Sequence, residues 1–100
     1  MANTAKVLAR TAAATSNATL YSVPSATTAV ITNILVTNTS GSSQTFTINF
    51  DGVAAFSGAT IAANSTAMFD LKQVLAATKI VSGSASAVSV NFHISGMEIV

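Results

Sequence analysis

His93 is the only side chain in the 100-residue chain that titrates near neutral pH, so any acid–base or nucleophilic scheme must run through it. A Ser-His-Asp set can be written from 13 serines, His93 and Asp51 or Asp70. A chain this rich in Ser supplies such a set by default, and no G-x-S-x-G turn accompanies it. The residues of the same parity as His93 are Ser89, Asn91 and Ser95, which places it on a polar outer strand face as a solvent or interface histidine. Metal binding needs clustered ligands, whereas Asp51, Asp70, Glu98 and His93 are spread along the chain and Cys is absent. Gly41, Gly52, Gly58, Gly83 and Gly96 never come closer than six residues, so no phosphate-cradling loop forms. Asn17-Ala18-Thr19, Asn38-Thr39-Ser40 and Asn64-Ser65-Thr66 match the glycosylation pattern at the frequency chance supplies. The chain therefore reads as non-enzymatic, with no catalytic residue, metal or cofactor.

The elements that carry these residues must come from an unusual composition. Half of the chain is apolar, but 19 of those residues are Ala and only six residues are aromatic, while Ser and Thr add another 27. Charged residues make up 7%, against the roughly 25% usual in soluble domains. The length suits one domain with a thin core. Lys6, Arg10, Lys72 and Lys79 are nearly balanced by Asp51, Asp70 and Glu98, which leaves no basic face for direct nucleic-acid binding. The longest uninterrupted apolar stretches, such as Val53 to Phe56, are four residues, far below the roughly twenty that a membrane span needs. Ala12-Ala13-Ala14 is not preceded by an apolar stretch, so no targeting segment is expected.

Apolar positions recur at period two. Phe46, Ile48 and Phe50 alternate with polar residues over Gln44–Phe50, as do Val88, Val90, Phe92 and Ile94 over Ala87–Ile94. Shorter strand candidates are Lys6–Arg10, Thr19–Val23, Ala54–Ile61, Thr66–Leu71 and Lys79–Ser82. Ala29–Thr39 is β-branched and apolar at both parities, so it is either buried on both faces or bulged. Turn signals stand at Pro24-Ser25, Ser40-Gly41-Ser42, Asp51-Gly52, Ala63-Asn64-Ser65 and Ser82-Gly83-Ser84. Lys72–Thr78 is the one stretch open to a helical reading. Ser40–Phe50 and Ser82–Phe92 share a Ser-Gly-Ser start and an Asn-Phe end, read as two uses of one hairpin design.

Short strands at regular spacing predict an all-β fold, a single antiparallel β-sandwich of seven or eight strands with Greek-key or jelly-roll connections. The expected core is Phe46, Ile48, Phe50, Phe69, Val88, Val90, Phe92 and Ile94. Residues 1–18 are expected to form an extended arm and residues 19–100 the sandwich. Met97 and Ile99 have the opposite parity to Phe92 and Ile94, which predicts a bulge at Gly96 that turns them back to the core.

Thr19-Leu20-Tyr21-Ser22-Val23-Pro24, followed by Thr28 to Ser40 (TAVITNILVTNTS), resembles a family of small tailed-bacteriophage virion proteins. The loop Ile61–Thr66, the stretch Leu75–Thr78 and the ending Gly96-Met97-Glu98-Ile99 fit the same pattern. The likeness covers roughly residues 6 to 100, and Ser25-Ala26 stands where the family has Ala-Gly. It implies a β-sandwich protein of the capsid or tail, such as a decoration (cement) protein, with no catalytic residues to carry over. The expected partners are the major capsid protein and further copies of the chain, as dimer or trimer, with no membrane and no direct nucleic-acid contact. The alternatives are a tail, neck or fibre component and a carbohydrate-binding module. Lys6, Val7, Leu8 and Arg10, a short apolar pair flanked by cations, are the expected assembly contacts, adding a strand to a neighbouring sheet edge.

Overall fold

The computed structural model describes residues 3–100. The period-two runs become eight strands: β1 (Asn3–Ala12), β2 (Ala18–Ser22), β3 (Thr28–Asn38), β4 (Gln44–Phe50), β5 (Val53–Ile61), β6 (Ser65–Leu75), β7 (Ile80–Ala85) and β8 (Val90–Ile99). They form two antiparallel sheets of four, ordered β1-β8-β3-β6 and β2-β7-β4-β5. Successive strands mostly alternate between the sheets, and this order is the jelly roll, the eight-stranded double-sheet solution. Alternation decides the layering, because each strand presents one apolar face and two such faces bury each other.

Phe46 from β4 and Phe92 from β8 meet between the sheets, with ring centroids 6.2 Å apart in an edge-on arrangement. Phe46 also lies 5.9 Å from Phe56 and 6.3 Å from Phe69, and those two rings sit 4.7 Å apart at the β5–β6 side. Ile31, Ile34, Val36, Ile48, Val81, Val90 and Ile94 complete the fully buried interior. Each such side chain contributes roughly 1.5–3 kcal/mol by leaving water. Phe50 and Phe69 are half-buried against this core.

Several expectations are corrected. Asn3–Ala12 is not an arm: it is β1, paired with β8 from Asn3↔Ile99 to Ala12↔Asn91, and it buries Leu8 and Ala9 in the core. Lys72–Thr78, where helix is the less favoured reading of the sequence, is strand and turn: β6 runs through Leu75 and Ala77-Thr78 make the turn into β7. Ser82-Gly83-Ser84 lies inside β7 rather than in a turn, since it pairs with Thr47–Asn49 of β4. A Cβ on Gly83 would approach the Thr47 carbonyl oxygen to 2.6 Å, so the glycine serves sheet packing. Val88 is 67% exposed in the β7–β8 loop, as that strand begins only at Val90.

The bulge expected at Gly96 is absent from β8, which alternates unbroken to Ile99 and turns Met97 outward and Glu98 inward. The neighbouring strands absorb the irregularity. From one rung to the next, β8 takes one step, Gly96 to Ser95; β3 takes two, Ile31 to Asn33; and β6 takes three, Gln73 to Asp70. On the other side β1 takes two, Val7 to Ala9, around Leu8. Thr32 is thus the extra residue that lets Ala29–Thr39 carry apolar side chains at both parities, the bulged alternative anticipated for that run. Gly96 is needed for space, because a Cβ there would overlap the Val30 carbonyl and lie 3.0 Å from Leu8 Cδ1.

Candidate functional site

Strand alternation puts every second residue of β1, β8, β3 and β6 on the outer face of the first sheet. Cross-strand pairing arranges these residues in rows. One row is Ala5, Met97, Val30 and Val74; another is Arg10, His93, Leu35 and Met68; between them runs Val7, Ser95, Asn33 and Asp70. Val7, Met68 and Val74 are well exposed, at 45%, 64% and 70%. The result is a sheet face with apolar side chains in successive rows and little charge.

His93 stands on this face as the parity argument required. Arg10 Nε donates to His93 Nδ1 at 3.1 Å. Among the described residues, the side-chain hydrogen-bond partner of His93 is a guanidinium rather than a carboxylate or serine. Among the described residues, no three of His, Asp and Glu gather where they could hold a metal ion.

The four residues expected to make assembly contacts point different ways from β1. Leu8 points into the core, Arg10 holds His93, and Lys6 Nζ pairs with Glu98 Oε1 at 3.2 Å. Val7 and Arg10 present their side chains to the outer face, Val7 in the row with Ser95, Asn33 and Asp70 and Arg10 in the row with His93, Leu35 and Met68. β1 is nonetheless a sheet edge, so its backbone is free on the side away from β8.

Sequence reasoning missed the polar cluster at the β1–β2 mouth. Tyr21 Oη of β2 donates to Glu98 Oε2 of β8 at 2.5 Å, bridging the two sheets. This hydrogen bond and the nearby Lys6 ammonium hold the Glu98 carboxyl below the usual carboxylate range, against the opposing effect of its burial. Burial and the Glu98 charge push the Tyr21 phenol well above its ordinary value. The signal was available: carrying the Val90–Ile94 alternation straight through Gly96 places a glutamate inside, and a buried acid needs partners.

Two further features frame the β5–β6 side. Phe50, Val53, Phe56, Leu71 and Gln73 line an open cleft of about 390 Å³. Asn38, buried at the end of β3, donates from Nδ2 to the carbonyls of Ser42, Ile61 and Ala62, while Oδ1 accepts from Ser40. That side chain ties the β3–β4 loop to the end of β5.

Compared with known proteins, the chain matches no protein-family model and none of the curated proteins.

Proposed function

We propose that this domain is a non-enzymatic structural subunit of a tailed-bacteriophage virion, a decoration protein seated on the major capsid protein. The observation that carries the reading is the outer face of the first sheet, where Val7, Val30, Leu35, Met68, Val74 and Met97 share a flat surface with few charges. Small Ser, Thr and Ala side chains around it lose little entropy when a neighbour packs against them. The resemblance over residues 6 to 100 supports the same reading. So does the jelly roll, by fold-level analogy alone, since lectins and other proteins share it.

A carbohydrate-binding module draws less support. Sugar sites use exposed aromatic rings, and here Tyr21, Phe46 and Phe92 are buried while Phe50, Phe56 and Phe69 are half-buried. The test is the copy number of the chain in purified particles, measured by quantitative mass spectrometry. Hundreds of copies per particle fit a capsid decoration protein. A dozen would move it to the tail or neck, and absence from particles would overturn the virion reading.

A further inference from the structure

Four strands end the two sheets, and their free edges present different chemistry. β2 is short, at five residues. β5 carries no charge and is bent at Gly58, whose φ is 59°. β1 carries Lys6 and Arg10 with no acid, so two β1 edges would repel. β6 is eleven residues long, lacks Gly and Pro, and carries one charge of each sign, Asp70 and Lys72. Both are exposed, and among the described residues neither has an ion-pair partner, whereas Lys6–Glu98 and Lys79–Asp51 are satisfied within the chain. β6 is irregular against β3 between Asp70 and Gln73, but its side chains still alternate there, with Asp70 and Lys72 outward and Leu71 inward, and a long edge of mixed charge is a template for another strand.

We propose that β6 is a self-association edge: two copies pair their β6 strands antiparallel about a two-fold axis through Leu71. In this register Asp70 of each copy lies opposite Lys72 of the other, and Met68 lies opposite Val74. The outer face of the junction then reads apolar, ionic, ionic, apolar, and is self-complementary as a two-fold interface requires. The register is specified by its neighbours. Sliding by two residues sets Asp70 against Asp70 or Lys72 against Lys72, and sliding by one sets outward residues against inward ones. On the inner face the half-buried Phe69 and Leu71 gain cover from the second copy. The two sheets become one of eight strands, β1-β8-β3-β6-β6-β3-β8-β1. This inference goes beyond the virion reading and does not rest on it.

The test is the oligomeric state of the whole chain by sedimentation equilibrium across a concentration series. The wild type is expected to dimerise. D70K and K72D each turn two attractions into two repulsions and weaken dimerisation by about tenfold or more. The double reversal D70K/K72D restores the pairing and the dimer. Because the chain contains no Cys, Leu71→Cys supplies a direct reading of register. Directly opposed residues sit about 4.5–5.5 Å apart, within disulfide reach, so oxidation should link two copies through residue 71. D70K in that background should suppress the link. A monomeric wild type at all concentrations, single reversals that dimerise like the wild type, or a double reversal without rescue would each overturn the proposal. A monomer that still occupies particles in hundreds of copies would overturn it while leaving the proposed function standing.

Discussion

Tyr21 and Glu98 form a hydrogen bond between strands of different sheets, one at the edge of its sheet and the other at the centre of the facing one. Glu98 titrates near 4.5 when unfolded and lower when folded. The stability it contributes is complete above the ordinary carboxylate range and is lost as the pH falls through the lowered value. Tyr21 works in the opposite direction: its contribution is complete below its ordinary value of 10.0 and is lost as the pH rises beyond it. Tyr21→Phe should lower the melting temperature at pH 7 and lower it progressively less in acid, as the pH falls through the lowered Glu98 value. Thermal melts of both proteins across pH check this, and a loss that stays equal down to the most acid pH at which the domain folds would contradict it.

Gly96→Ala should destabilise the domain by about 1–3 kcal/mol or more, because its Cβ would press on the Val30 backbone and the Leu8 side chain. Gly41→Ala, with nothing within 4 Å, should stay within about 0.5 kcal/mol of wild type. Urea titrations of the pair separate a spatial role for Gly96 from a general cost of losing glycine.

Ala26 and Thr78 adopt left-handed backbone, with φ of 56° and 71°. That conformation strains an L residue, and a β-branched one most. Ala26→Gly and Thr78→Gly should therefore stabilise the domain, each by up to about 1 kcal/mol after the entropy glycine adds to the unfolded chain. Position 26 is also where the phage family has glycine. Melting temperatures that fall in both variants would contradict this reading of the turns.

Phe92→Ala removes the ring that meets Phe46 between the sheets and should cost about 3–5 kcal/mol. Val88→Ala, on the loop, should change stability by less than about 0.5 kcal/mol. Chemical denaturation distinguishes them, and a severe loss from Val88→Ala would restore that residue to the core.

If the outer face of the first sheet seats the domain on a capsid, Val7→Glu should reduce its occupancy on particles while Val88→Glu, off that face, should not. The contact is apolar, so raising the salt moderately should release little protein. Occupancy measured by gel densitometry after a salt wash tests both statements.

Alternation made much of the fold legible. Gln44–Phe50 is β4 to the residue, and Asp51-Gly52 is a two-residue turn with both φ values positive, the geometry that twisted hairpins prefer. Where alternation misled, the cause lay on a neighbouring strand. Met97 and Ile99 look like core residues that lost their parity, but Leu8 and Thr32, far away in sequence, hold the irregularity. A pattern read along one strand carries no record of its partners. β1 was misread for a similar reason: its ten residues bury little beyond Leu8 and Ala9, and what holds it is pairing with β8. The Tyr21–Glu98 bridge joins residues 77 positions apart: unbroken alternation through Gly96 puts Glu98 inside, but nothing along the chain names Tyr21 as its partner.

β8 follows the other seven strands in the chain yet lies between β1 and β3 in its sheet. During synthesis, β1 must wait for a partner up to 96 residues downstream, Asn3 for Ile99. Until β8 emerges, two strands of that sheet have no neighbour on their inner side, and the apolar faces meant for Phe92 and Ile94 are open to water. Closing so long a loop is entropically slow, and unpaired strands invite other chains meanwhile. The same placement makes completion decisive: once β8 docks it satisfies both neighbours together, so the domain should gain its cooperativity in that one step.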